Sequence, residues 1–132
     1  MNLLSIKGLS QSYAGSHILW EVDLDVEPGS CMCLLGRNGM GKTTLLKCIM
    51  GLLPVASGEI TFGDTDLRVA PAERRARLAI GYVPQGREIF PQLTVEENLE
   101  VGLTARLDRR RTIPSQVFDL FPVLKQMLKR RG

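Results

Sequence analysis

The stretch GRNGMGKT at Gly36–Thr43 decides the fold of this 132-residue chain. It matches the pattern G-x-x-x-x-G-K-[ST], in which glycines let the backbone curl until successive N–H groups point at phosphate oxygens. Lys42 adds a point charge for the terminal phosphates, and Thr43 offers a hydroxyl to Mg²⁺. The pattern therefore predicts a loop that binds the phosphates of a nucleoside polyphosphate.

The residues on either side of this loop predict the elements that such a loop needs. Cys31–Leu35 is continuously apolar, which is typical of a strand covered on both faces in a parallel sheet. Thr44–Met50 is apolar at helical spacing, and Gly51 is a natural residue to end a helix. The alternative, an ordinary strand-to-helix turn, explains the glycines but neither Lys42 nor Thr43.

Alternation and turn residues predict the other elements. Leu3–Leu9 and Ile18–Val26 are expected to form strands around a turn at Ala14–Ser16, the second with the apolar and acidic alternation of an antiparallel strand. The remaining expected elements are a strand at Glu59–Phe62, a basic helix at Pro71–Leu78, a strand at Ala79–Val83, a helix at Val95–Leu103 with a capping box at Thr94 and Glu97, and a helix from Ser115 that restarts at Pro122.

Composition limits the class of protein. A chain of 132 residues with 44% hydrophobic and 23% charged residues suits one globular domain, and it holds no apolar run of the ~20 residues that span a membrane. Cys31, Cys33 and Cys48 form no C-x-x-C pair, so we expect small buried side chains in a reducing compartment. The net charge of +3 comes from residues 105–132, which hold eight Lys and Arg against two acidic residues.

The run Leu34–Lys47 resembles the Walker A region of an ABC transporter ATPase subunit. Tyr13 stands where this family has an aromatic residue that stacks on adenine, and Gln85 stands where it has the Q-loop glutamine. The resemblance implies ATP binding by Tyr13, Gly36, Arg37, Asn38, Gly39, Met40, Gly41, Lys42, Thr43 and Thr44, Mg²⁺ binding by Thr43 and Gln85, and a catalytic role for Gln85 at the attacking water.

The segment Gly86–Leu99 is similar to that of importers of the branched-chain amino acid type, and Gly86–Pro91 is most similar to the urea-transport ATPase subunit. This resemblance implies a subunit that energises import of urea or, as the alternative, of branched-chain amino acids. It also implies a second ATPase subunit in a head-to-tail dimer, transmembrane permease subunits and an indirect partnership with a solute-binding protein. The implied location is cytoplasmic, at the inner face of the cell membrane.

Three elements that this family uses for hydrolysis are missing from the sequence. No apolar run after Leu103 ends in Asp-Glu, no Leu-Ser-Gly-Gly-Gln occurs, and the only histidine, His17, precedes the phosphate loop. The resemblance therefore implies an incomplete α/β P-loop NTPase of the ABC ATPase type. We expect antiparallel N-terminal strands and part of a parallel RecA-like core in a nucleotide-binding core at 1–85, then the start of the helical subdomain at 86–132, ending before the signature motif.

Two expectations follow for the chain as it stands. It should bind ATP with Mg²⁺ but not hydrolyse it at a useful rate, and Cys31–Leu35 should lack a neighbouring strand and expose apolar surface.

Other functions remain open at this stage. A non-catalytic nucleotide-binding fragment or regulatory truncation would use the same residues, whereas a small-molecule kinase usually begins at the phosphate-loop strand. The clusters Arg74–Arg77, Arg109–Arg111 and Lys129–Arg131 have few aromatic neighbours, so a solvated helical face is favoured over a nucleic-acid site. Contact of these clusters with anionic lipid is a third option.

Overall fold

A two-residue turn at Ala14 and Gly15 joins the first two strands. Both residues have positive φ, 49° and 81°, as the central residues of the type I′ turns that match the twist of a hairpin do. β1 (Leu4–Tyr13) and β2 (Ser16–Val26) therefore pair antiparallel. The expected N-terminal strands are confirmed, and β1 continues beyond the expected end at Leu9.

A computed structural model describes all 132 residues, Met1–Gly132. β3 (Ser57–Phe62) pairs with the free edge of β1, and the short β4 (Thr65–Asp66) pairs with β3, so the order is β2-β1-β3-β4 and every pairing is antiparallel. The register places Ile6 opposite Ile60, and both side chains are buried. This face of the sheet supports the core.

Every helix expected from the sequence occurs. The helices are α1 (Lys42–Met50), α2 (Ala72–Arg77), α3 (Val95–Leu103), α4 (Ser115–Leu120) and α5 (Pro122–Met127), with a 3₁₀ turn at Leu67–Val69 between β4 and α2. The capping box is confirmed, since Glu97 N donates to Thr94 Oγ1 at 3.2 Å and Thr94 N donates to Glu97 Oε2 at 2.7 Å. No helix is long and apolar enough to cross a membrane.

The chain divides into two compact units, Met1–Ile80 and Gly81–Gly132. The core of the first unit joins the sheet to α1 and to the 3₁₀ turn. Its buried apolar residues are Ile6, Leu9, Leu19, Leu45, Cys48, Ile49, Ile60, Leu67 and Ala70.

In the second unit, the C-terminal residues of the chain form hydrogen bonds with the N-terminal end of α3. Val95 N donates to Arg130 O at 2.7 Å and Glu96 N to Leu128 O at 3.1 Å, so backbone carbonyls cover the first amides of the helix. The expected functional boundary at 85/86 stays a prediction.

Two expected strands are wrong. Cys31–Leu35 and Ala79–Val83 have no strand pairing, and the side chains of Leu35 and Val83 are 88% and 92% exposed. The physical reason is that no strand lies beside either segment, so their backbone groups have no ladder to join and remain irregular. The expectation that Cys31–Leu35 lacks a neighbour and exposes apolar surface is confirmed.

The cysteines also differ from the sequence expectation. Cys48 is buried in the core as expected, whereas Cys31 and Cys33 are exposed because the segment that carries them is unpaired. Burial raises the pKa of the Cys48 thiol, and the nearby Arg75 guanidinium lowers it by a smaller amount.

Candidate nucleotide-binding site

The junction between the phosphate loop and α1 has room only for glycine. Gly41 has a φ of 96° and forms the N-cap of α1 without a side-chain hydrogen bond. A Cβ at this position would lie 2.8 Å from Leu19 Cδ2 and 3.2 Å from Ile18 O. The close approach of β2 and the left-handed backbone therefore both require glycine here.

Lys42 is folded back onto the loop that precedes it. Its Nζ donates to the backbone carbonyl of Gly36, and it also donates to Arg37 O at 2.9 Å. No acidic side chain pairs with it, and no acidic residue occupies the first turn of α1. The cation is thus held close to the loop by neutral oxygens that a charged ligand can replace.

The N-terminal end of α1 carries the other features that an anion needs. Residues 31–40 are exposed along their whole length, and the Thr43 side chain is also exposed. Because the N-cap is a glycine, the first amides of the helix donate to no capping side chain, and the helix dipole places partial positive charge there. This arrangement fits the phosphates of a nucleotide.

The site offers few protein ligands for a metal ion. No group of three or more His, Cys, Asp or Glu side chains in the structure could hold a metal, and the Thr43 hydroxyl is an oxygen donor beside the phosphate loop. Such a donor fits Mg²⁺ when nucleotide phosphates complete its octahedral oxygen shell.

Tyr13 is the last residue of β1 and belongs to the same unit as the phosphate loop. It lies two residues beyond Gln11, which pairs with Leu19, and a register shift falls between Gln11 and Ser12. The Leu19 side chain in turn lies under Gly41. With its side chain 70% exposed, Tyr13 is available for stacking on a planar group.

The remaining predicted site residues fall into two groups. Arg37, Asn38, Gly39, Met40 and Thr44 lie in the loop or at the start of α1, together with the residues described above. Gln85 belongs to the second unit, where it is exposed in an irregular segment. The binding and catalytic roles expected for all these residues stay predictions.

Arg75 does not lie on the solvated basic face that the sequence predicts for it and its neighbours. It is 5% exposed and donates to four backbone carbonyls. Those carbonyls belong to Cys48 and Ile49 at the end of α1, and to Leu67 and Ala70. Nothing in the local sequence distinguishes Arg75 from its exposed neighbour Arg74.

Comparison with known proteins gives a consistent result. A sequence profile for the family described as ABC transporter matches residues 19–131. The chain is 37% identical to the probable branched-chain amino acid transport ATP-binding protein LivF of Archaeoglobus fulgidus, over 94% of this chain and 53% of LivF. It is 40% identical to the lipopolysaccharide export system ATP-binding protein LptB of Escherichia coli, over 82% of this chain and 45% of LptB.

Solved structures show the same fold. The structure of an ATP-binding subunit of an ABC transporter matches with a TM-score of 0.77 and 28% identity, covering 98% of this chain and 54% of that one. The chain thus spans about half the length of the relatives it matches. Its phosphate loop, hairpin and helices are those of an ABC ATPase fold, and the chain belongs to the ABC transporter family.

Proposed function

We propose that this chain binds ATP with Mg²⁺ through its first unit. The observation that carries the proposal is the N-terminal end of α1, where exposed loop amides, an uncapped helix terminus and a lysine without an acidic partner lie together. Tyr13 stacks on adenine, the loop Gly36–Gly41 surrounds the phosphates, and Thr43 provides an oxygen for the metal ion. This combination favours a triphosphate over a monophosphate because the positive groups extend along several residues.

Lys42 changes partners when the nucleotide binds. Its two present acceptors are neutral carbonyls, whereas phosphate oxygens carry negative charge and attract the ammonium more strongly. The ammonium therefore leaves Gly36 O and Arg37 O for the terminal phosphates. The released carbonyls are at an exposed loop and are solvated by water.

Mg²⁺ supplies charge neutralisation on the phosphates and a template that orients them when it is bound. Thr43 would hold it from the first unit. The family resemblance implies that the Gln85 amide would contact the metal ion and the attacking water, and this role stays a prediction.

The test of ATP binding uses two lysines on one helix. Calorimetric titration of the purified chain with MgATP should give saturable binding, and Lys42→Ala should weaken it at least about tenfold, as loss of a charge-assisted hydrogen bond does. The matched control is Lys47→Ala in the last turn of α1, which should bind as the unaltered chain does. Equal affinities of all three proteins would contradict the proposal.

For the larger assembly we propose an ATPase subunit that energises an ABC importer of urea, with branched-chain amino acids as the alternative. The similarity of Gly86–Pro91 to urea-transport ATPase subunits supports the first solute, and the name of the LivF relative supports the second. The partners are a second ATPase subunit in a head-to-tail dimer and transmembrane permease subunits. These place the subunit at the cytoplasmic face of the membrane.

The solute is tested on the protein that would select it. No residue of this chain need touch the solute, so the solute-binding protein of the same transporter is titrated with urea, short amides and leucine. Tight binding of urea alone supports the urea proposal, whereas tight binding of leucine alone replaces it with branched-chain amino acids. Binding of none of these solutes contradicts both.

We further propose that the chain as given binds ATP without turning it over. It has no apolar run ending in Asp-Glu after Leu103 to supply the acidic metal ligand and general base. Phosphate release from MgATP should therefore equal that of Lys42→Ala. This outcome also suits the alternative of a non-catalytic nucleotide-binding module, and faster release by the unaltered chain would overturn both.

A further inference from the structure

The two ends of α1 are held by very different means. At its N-terminal end, Gly41 contacts β2 and no side chain caps the helix. At its C-terminal end, the Arg75 guanidinium donates to Cys48 O at 2.7 Å and to Ile49 O at 2.8 Å. Both belong to the last turn of the helix, where carbonyls lack the usual helical partners, and Cys48 O also accepts from Gly51 N at 3.1 Å.

The same guanidinium ties α1 to the rest of the first unit. Its Nε donates to Ala70 O at 2.7 Å, and its Nη2 donates to Leu67 O in the 3₁₀ turn. Arg75 has no carboxylate partner, so the partial negative charge at the C-terminal end of α1 compensates its charge. One side chain thus fixes three points of the backbone relative to one another.

Gly51, which follows α1, is closely packed against the Arg75 guanidinium. A Cβ on Gly51 would lie 2.9 Å from both Arg75 Cζ and Nε, so the C-cap of α1 is packed directly against the guanidinium. Two of the three buried side chains of α1, Cys48 and Ile49, are also in its last turn. The C-terminal half of the helix therefore contains most of its anchoring contacts.

The geometry points to a role for this clamp at the opposite end of the helix. α1 has nine residues, a rigid rod of about 13 Å, so a displacement of its C-terminal end reappears at its N-terminal end, where Lys42 and Thr43 lie. We propose that Arg75 is a positioning residue for the phosphate loop. By holding the C-terminal end of α1, it sets the direction in which the helix presents Lys42 and its first amides to the terminal phosphates. This proposal rests on the proposed ATP binding.

The test separates the phosphate contacts from the adenine contact. Arg75→Met keeps the bulk of the side chain and removes all four hydrogen bonds, whereas Arg75→Lys keeps the charge with fewer donors. Affinities for MgATP, inorganic tripolyphosphate and adenosine are measured below the melting temperature of each variant. Arg75→Met should lose about tenfold for MgATP and tripolyphosphate with adenosine unchanged, since misplacing a binding group by about 1 Å has effects of this order or larger. Arg75→Lys should be intermediate.

Matched controls come from the same helix. Arg74 and Arg77 are exposed, so Arg74→Met and Arg77→Met should bind all three ligands as the unaltered chain does. An equal loss for tripolyphosphate and adenosine in Arg75→Met would assign Arg75 to general stability and overturn the proposal. So would unchanged affinity for all three ligands.

A second readout keeps failure of the inference distinct from failure of the proposed function. Without nucleotide, Arg75→Met should shift the backbone amide resonances of Gly41, Lys42 and Thr43 in ¹H–¹⁵N spectra, while Arg74→Met should not. If the unaltered chain binds no ATP, the proposed function is wrong, and these resonances still decide whether Arg75 positions the loop. Unshifted resonances in Arg75→Met overturn the inference whatever the chain binds.

Discussion

The two compact units of this chain are stabilised by different interactions. Nine of the ten buried apolar residues belong to Met1–Ile80, whereas Leu103 is the only one in Gly81–Gly132. In the second unit, exposed apolar side chains include Leu107, Leu120 and Phe121. The first unit therefore has a hydrophobic core of its own, and the second does not.

Hydrogen bonds organise the second unit instead. Asn98 donates to the carbonyls of Phe90 and Thr94 at 3.0 and 2.9 Å, and its Oδ1 accepts from Phe90 N at 2.9 Å. Such bonds set local geometry but stabilise by only about 1 kcal/mol each, while burial of one large apolar side chain contributes about 1.5–3 kcal/mol. The first unit should therefore unfold as one core, and the second should open locally.

The largest loss of stability is expected from a substitution in the core of the first unit. Ile60 is fully buried in the core of the first unit, so Ile60→Ala should lower the free energy of unfolding by about 3–4 kcal/mol. In a background that carries Cys31→Ser and Cys33→Ser, urea unfolding followed by labelling of the buried Cys48 thiol reports on this unit. Val69→Ala is the control, since this exposed residue should change the value by less than about 0.5 kcal/mol. A loss below about 1 kcal/mol for Ile60→Ala would show that the core is not what stabilises the unit.

The second effect compares one glycine from each unit. Gly51→Ala should destabilise the first unit by about 2 kcal/mol, because φ is 74° and the new Cβ would meet the Arg75 guanidinium. Gly102→Ala in α3 should stabilise by about 0.5–1 kcal/mol, since its Cβ meets no atom within 4 Å and alanine favours a helix. Thermal melts of both variants measure the two changes. Shifts of the same sign would contradict this assignment.

A smaller effect is expected when the hydrogen bonds of Asn98 in the second unit are removed. Asn98→Ala removes the hydrogen bonds to Phe90 and Thr94 and should lower the free energy of local opening by about 1–2 kcal/mol. Hydrogen exchange at the Phe90 amide should become faster, with Cys48 labelling in the first unit unchanged. Gln116→Ala, at an exposed position of α4, should leave exchange unaffected. Equal exchange rates of the Phe90 amide in both variants would show that Asn98 does not stabilise this part of the second unit.

The smallest effect is a pH dependence present in both units. Side-chain hydrogen bonds from Arg68 lower the pKa of Asp66 from 3.8, and those from Arg106 lower the pKa of Asp108. Because each carboxyl has a lower pKa in the folded chain, each pair stabilises above about pH 4, and this contribution is lost as the pH falls through the folded pKa. Both pairs are at the surface, so the contribution is small.

The comparison of pH profiles assigns this contribution. Asp66→Asn should flatten the acid loss of stability in the first unit, read by Cys48 labelling, and Asp108→Asn should flatten it in the second, read by hydrogen exchange. A profile unchanged by either substitution would show that other carboxyls cause the acid loss.

Local sequence signals predicted the parts of the fold that local interactions determine. Every helix was found, and Thr94 and Glu97 form the capping box expected from their spacing. The hairpin before the phosphate loop was also expected, from alternation in β2. These features depend on residues close in sequence, so a single chain segment carries the information.

Features that depend on distant partners could not be predicted in this way. Cys31–Leu35 has the composition of a buried strand, but a strand requires a neighbour, and the sheet has none at that place. Arg75 resembled its exposed neighbour Arg74, because the carbonyls it binds lie 26 and 27 residues away in α1 and are invisible to local pattern.

Residue types alone predict phosphate binding by the loop, since glycines, Lys42 and Thr43 at this spacing suit phosphate oxygens. How the loop is held depends instead on contacts between distant segments. The tertiary structure placed Leu19 under Gly41, left Lys42 on loop carbonyls, and put Arg75 on the far end of α1. The reason is that ligand chemistry belongs to residue types, whereas the direction of a helix depends on packing and hydrogen bonds between segments far apart in the chain.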